Sequence, residues 1–103
     1  MKKVFISVPM KDKTKEEIKN TISIMKCKAI EEAGIDVEFI NTIVKDKPPY
    51  NTNNEAIWYL GKSIELLSQC DALVCLKEIE NKYNGCIIEK EIAKRYGLQI
   101  IEL

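Results

Sequence analysis

The sequence predicts an α/β protein, a three-layer α-β-α sandwich built on a four-stranded parallel sheet. Two observations carry this. Four short runs of β-forming residues alternate with three segments of helical periodicity, in the order β-α-β-α-β-α-β. One of the four, Ala72-Leu73-Val74-Cys75-Leu76, is continuously apolar, the pattern of a strand covered on both faces. Right-handed crossovers between parallel strands then distribute the helices over both sides of the sheet.

The first strand is Lys3-Val4-Phe5-Ile6-Ser7, a run of β-formers that stops at Pro9. Thr14-Lys15-Glu16-Glu17 is a capping box: the threonine hydroxyl accepts from the third helical N–H while Glu17 reaches back to the cap. Behind it Ile18, Ile22, Met25, Ala29 and Ala33 recur at helical spacing, and Gly34 supplies the stop. Ile35-Asp36-Val37-Glu38-Phe39-Ile40 alternates loosely and reads as a second strand, nearer an edge because Asp36 and Glu38 share one face.

Residues 44–54 contain Pro48, Pro49 and four polar residues after Tyr50, so they form the longest loop in the chain. A loop of that length either covers a site or merely connects two elements. Asn53 or Asn54 caps a second helix whose apolar stripe is Ile57, Leu60, Ile64 and Leu67, with Trp58 and Tyr59 beside it. Such aromatics serve the core or a subunit contact more often than a ligand. Asp71 opens the continuously apolar third strand. A third helix runs from about Gly85 to Tyr96 with Ile88, Ile92, Ala93 and Tyr96 directed inward, and Gly97 ends it. Leu98-Gln99-Ile100-Ile101-Glu102-Leu103 is the last strand.

Four strands of this kind suit the order 2-1-3-4, a flavodoxin- or Rossmann-like arrangement. Strands 1 and 3 are then neighbours whose connections leave in opposite directions, and the crevice at their carboxyl ends is the default ligand site. Ser7-Val8-Pro9-Met10 leaves strand 1 there, and residues 77–84 lead from strand 3 to Asn84-Gly85-Cys86-Ile87-Ile88-Glu89. Glu89 is thereby expected in the first turn of a helix opening beside a buried strand. By spacing alone such a glutamate more often serves only the helix macrodipole. Glu91, two positions on, faces elsewhere and pairs with Arg95 at i,i+4. Glu78 and Glu80 are charged residues of the rim.

Composition narrows the chemistry. A chain of 103 residues is one domain, residues 1–103, and its 46% hydrophobic and 31% charged residues are those of a soluble globular protein. Lys+Arg and Asp+Glu are both 16, and zero net charge argues against duplex nucleic acid or an anionic membrane as partner. With no apolar run of membrane-spanning length and no signal-peptide pattern after Lys2-Lys3, a cytoplasmic location is expected. The absence of histidine excludes imidazole catalysis and histidine metal ligands. Cys27, Cys70, Cys75 and Cys86 show no zinc spacing, so neither metal nor cofactor is implied. The first three are expected in the core; Cys86 sits at a helix N-terminus, where a thiol pKa can be lowered.

Val4-Phe5-Ile6-Ser7-Val8-Pro9-Met10, Leu66-Leu67-Ser68-Gln69-Cys70-Asp71-Ala72-Leu73-Val74, and Gly85-Cys86-Ile87-Ile88-Glu89 with Ala93 together resemble the nucleoside 2-deoxyribosyltransferase-like superfamily, in particular its short members. The resemblance covers nearly the whole chain. It implies that Glu89, four residues after Gly85, is a nucleophile that accepts a sugar from an N-glycosidic bond and passes it to a base or to water. A helix N-terminus would keep that glutamate ionised, and Gly85 would let the backbone approach the ligand. Phe5, Ser7, Pro9, Met10, Ser63, Asn84 and Gly85 are the implied substrate-binding residues. The partners implied are a nucleoside- or nucleotide-like small molecule and further copies of the chain, in a homodimer or larger homo-oligomer.

The chain departs from that family's pattern at four places. Ser63 stands where an aspartate is general, eight residues before Asp71; Phe5 stands for a strand-1 tyrosine, Val8 for a loop glycine, and Tyr83 for the acid of some members. Two functions therefore remain open: an N-glycosidase or 2-deoxyribosyltransferase with Glu89 as nucleophile, or a non-catalytic protein that binds or sequesters the same ligand class. A third is an interaction protein using Tyr50, Trp58 and Tyr59.

Overall fold

Strands and helices alternate strictly along the chain: β1 (Lys2–Ile6), α1 (Lys15–Ala33), β2 (Val37–Ile40), α2 (Glu55–Leu67), β3 (Ala72–Cys75), α3 (Asn84–Arg95) and β4 (Gln99–Glu102). The structure, a computed structural model, describes residues 1–34, 36–41 and 43–103. All strand pairs are parallel and the order is β2-β1-β3-β4. The expected start of the second strand at Ile35 lies outside the described residues.

The central position of β3 follows from its sequence. All four of its residues are buried, whereas β2 and β4, at the sheet's edges, bury only Ile101 fully. Val4↔Ala72, Phe5↔Leu73 and Ile6↔Val74 set the β1–β3 register. Asp71 fixes its lower end twice: the Asp71 N–H donates to the Lys3 carbonyl at 2.8 Å, and the Lys3 N–H donates to Asp71 Oδ2 at 2.9 Å. Ser7 N–H donates to the Val74 carbonyl at 2.8 Å and carries the ladder one residue past β1.

Alternation along β1 divides the core in two. Val4, Ile6 and Val8 pack with Met25 and Ala29 of α1, and Ile18, Ile22 and Ala33 complete that face. Phe5 packs on the other face with Leu67 of α2, Ala93 of α3, Cys70, Leu73 and Cys75. One helix thus covers one side of the sheet and two cover the other, giving three layers.

The helix ends are set by local chemistry. Thr14 Oγ1 accepts from the Glu17 N–H at 3.1 Å while Glu17 Oε1 accepts from the Thr14 N–H at 3.0 Å, so the capping box forms in full. Gly34 ends α1 at φ 87°, in the region that glycine enters without Cβ strain. Asn54, rather than Asn53, caps α2, its Oδ1 accepting from the Ile57 N–H at 3.0 Å.

Three inward assignments are corrected. Ile57, Ile88 and Tyr96 are exposed, Tyr96 to 81%; α3 buries Cys86 and Glu89 beside the expected Ala93. Cys27, expected in the core, is also exposed, on the outer face of α1.

Candidate functional site

The carboxyl end of β1 and the segments that follow β1 and β3 border an open cavity of about 490 Å³, within the range of small-molecule sites. Three segments form its walls. Phe5, Ile6, Val8, Met10 and Lys11 come from β1 and the chain that leaves it. Ala56, Tyr59, Leu60 and Ser63 come from one face of α2. Residues 82–86 and Glu89 come from the entry to α3 and its first turns.

Each wall is placed by a local feature. After β1 the chain turns at residues 10–13, where the Lys13 N–H donates to the Met10 carbonyl at 3.1 Å. Asp12 takes φ 62° in this turn, a conformation that Asp tolerates better than most residues. The turn keeps Met10 and Lys11 at the cavity mouth. On the opposite side, Tyr83 is the N-cap of α3 and is buried, but no side chain caps this helix. Its first bond runs from the Ile87 N–H to the Tyr83 carbonyl at 3.2 Å, so the helix opens onto the cavity wall with its leading amides. Gly85 belongs to this wall, and a Cβ there would meet nothing within 4 Å.

Glu89 is the sixth residue of α3, in its second turn and not its first. It is 7% exposed, and it and Ser7 are the only buried polar or charged residues among those described. The Ser7 hydroxyl donates to Glu89 Oε1 at 2.7 Å. Among the described residues Oε2 has no protein partner, and no buried side-chain oxygen or nitrogen is left without one. Oε2 therefore retains contact with open space, which for this cavity-lining residue is the cavity itself.

The expectation that the helix end keeps Glu89 ionised is overturned. Burial pushes its carboxyl up from 4.5 to about 7, only partly opposed by the Ser7 hydroxyl bond. Macrodipole stabilisation fades beyond the first turn, whereas removing a carboxylate from water penalises the charged form directly. The same competition decides Cys86. Burial pushes its thiol up to about 11; the Ser7 hydroxyl acts against this and the Glu89 charge adds to it. A thiol so placed is a poor nucleophile at neutral pH.

Of the residues singled out in the sequence, Glu89, Phe5, Met10, Ser63, Asn84 and Gly85 line the cavity. Ser7 reaches the site through Glu89 and not as wall, and Pro9 is half-buried outside the lining. None of residues 44–54 lines it; residues 44–46 instead border a second hollow of about 300 Å³ with Lys62, Glu65 and Leu66. Glu78 and Glu80 do not line the main cavity. Glu80 holds Lys82, which does, at 3.6 Å.

Sequence reasoning missed Lys11, Lys82 and the wall contributed by Ala56, Tyr59 and Leu60. Only position could have signalled the two lysines, since both follow the carboxyl end of a central strand. Among the described residues, no group of three or more Cys, Asp or Glu is placed to hold a metal ion. No described helix is long and apolar enough to cross a membrane. The chain matches no model of a known protein family, no curated protein and no solved structure.

Proposed function

We propose that the cavity receives a nucleoside- or nucleotide-like small molecule and that Glu89 is the nucleophile of N-glycosidic cleavage or 2-deoxyribosyl transfer. This is the reaction of the nucleoside 2-deoxyribosyltransferase-like superfamily that the sequence resembles. The observation that carries it is a carboxylate, 7% exposed, with one oxygen held by Ser7 and the other left to a cavity of about 490 Å³. A buried carboxylate costs stability, and such groups concentrate where chemistry needs them.

In the first step Glu89 Oε2 bonds to the anomeric carbon as the C–N bond breaks. The bonding pair leaves with the base, which takes a proton from water. In the second step water, or the ring nitrogen of an acceptor base, attacks the same carbon. The Glu89–sugar bond breaks with its pair returning to Oε2, and the attacking group's proton passes to solvent. The ionised form of Glu89 is the reactive one. Incubation with a panel of nucleosides and their monophosphates should release free base. Release that persists in Glu89→Ala sinks the assignment.

A second reading has its own support. Ser63 lines the cavity where the resemblance implies an aspartate, and Phe5 brings no hydroxyl to it. A site with fewer polar helpers suits binding without turnover. Calorimetry would then record an intact ligand bound and no base released.

We further infer a homodimer or larger homo-oligomer. Its support is the exposure of Ile57 at 66% and Tyr59 at 37%, beside the cavity on α2; a monomer by light scattering refutes it. All four cysteines are free thiols, the state that a cytoplasmic location maintains.

A further inference from the structure

We propose that Ser7 is the positioning residue of this site: its hydroxyl holds Glu89 Oε1 and so assigns Oε2 as the oxygen that meets the ligand. The proposal rests on the reading of Glu89 as the nucleophile, and it adds which atom reacts and what aims it.

The argument begins with the strand. Phe5 and Ser7 lie two residues apart and so share the face of the sheet that α2 and α3 cover. Ser7 is 2% exposed and its backbone is tied to Val74 at 2.8 Å, so its hydroxyl has little freedom to wander. The Glu89 side chain, by contrast, has three rotatable bonds and comes from a helix packed against the sheet only through neighbours such as Ala93. A single 2.7 Å bond from the rigid partner to the flexible one anchors Oε1 of the carboxyl group. The Ser7 bond stabilises charge on Oε1 that attack from that oxygen would draw off, whereas Oε2 carries no such bond and is the better placed to react.

The bond also selects a protonation state. An ionised carboxylate can only accept, so with Glu89 charged Ser7 must donate, and donation to the charged form favours it over the neutral acid. Ser7 thereby recovers part of the ionisation that burial takes away. No other protein donor reaches the Glu89 carboxyl among the described residues.

The test follows the Glu89 side-chain carboxyl carbon by NMR across a pH titration, in wild type, Ser7→Ala and Ser7→Thr. In wild type the Ser7 Cβ resonance should move with the Glu89 carboxyl. In Ser7→Ala the Glu89 midpoint should shift upward, and Ser7→Thr, which keeps the hydroxyl, should bring it back. Where base release is measurable, kcat should fall about 100-fold in Ser7→Ala with KM little changed, the scale expected for a misaimed nucleophile. A Ser7 Cβ that ignores the Glu89 titration overturns the proposal, and this arm needs no variant to fold. An unmoved midpoint in a folded Ser7→Ala overturns it equally. If no base is released by any form, the nucleophile reading fails while the titration still decides whether Ser7 holds the carboxyl.

Discussion

Ser7 Oγ and Glu89 Oε1 lie 2.7 Å apart, both buried, although 82 positions separate the two residues in the chain. A buried carboxylate with one hydrogen bond is an unusual expense for so small a core, and its consequences are measurable.

The first concerns stability. Burial raises the Glu89 pKa from 4.5 in the unfolded chain to about 7 in the folded protein. Between those values the folded state binds more protons than the unfolded one. The associated stability is fully present below about pH 4.5 and is lost as pH rises through about 7. The loss is of the order of 3 kcal/mol. Glu89→Gln should therefore gain stability relative to wild type in urea denaturation at about pH 8, and the gain should shrink towards about pH 4. Parallel curves for the two proteins would contradict the burial of the charge.

Turnover should have the opposite pH dependence. A nucleophilic carboxylate must be ionised, so base release should rise with pH through an apparent pKa near 7 and then level. A profile already flat at about pH 5 would mean that Glu89 is ionised by the substrate complex or is not the nucleophile.

Two glycines separate space for a ligand from space in the protein. A Cβ at Gly61, within α2, and at Gly85, on the cavity wall, would each meet nothing within 4 Å. Gly61→Ala should raise stability by about 0.5–1 kcal/mol through helix propensity, leaving the site untouched. Gly85→Ala should fold at least as well as wild type yet bind its ligand more weakly, because the added methyl occupies the cavity. Thermal melts with and without ligand distinguish the two. Equal ligand-induced shifts would remove Gly85 from the site.

Thiol labelling reads out the cysteine environments. Cys27 is exposed, whereas Cys70, Cys75 and Cys86 are buried and burial pushes all three thiols upward, Cys70 and Cys86 to about 11. Iodoacetamide at near-neutral pH should modify Cys27 alone in the native protein and all four after unfolding, by peptide mass spectrometry. Early labelling of Cys86 would mean that the cavity wall opens on its own.

The sheet was legible because its signals are local. The apolar run at Ala72–Cys75 suits a strand covered on both sides, and Asp36 and Glu38 suit an edge. Thr14 with Glu17 marked the start of α1, and Gly34 its end.

The inward face of α3 was legible at Ile92 and Ala93 and misread at Ile88 and Tyr96, for a physical reason. Its buried stripe is Cys86, Glu89 and Ala93, and a glutamate in that stripe reads as polar. A search for apolar periodicity therefore slides round the helix to Ile88, Ile92 and Tyr96, of which Ile88 and Tyr96 are exposed. In α2 the first turns wall the cavity instead of packing on the sheet, which leaves Ile57 uncovered while Ile64 and Leu67 meet the core. The ionisation of Glu89 was out of reach too, because it depends on neighbours that only the folded chain assembles.

The strand order β2-β1-β3-β4 also divides the molecule along a seam. The strands on one side of the β1–β3 pairing come from the chain up to Ile40, and those on the other from Ala72 onward. Met10 and Lys11 precede residues 44–54, and Ser63 and Glu89 follow them, so neither part alone has a cavity. Two fragments cut within residues 44–54 would have to reassociate before anything could bind. Any occupant grips both parts at once and tightens their association by RT ln(1 + [L]/Kd). An occupant of this cavity would act as a clasp.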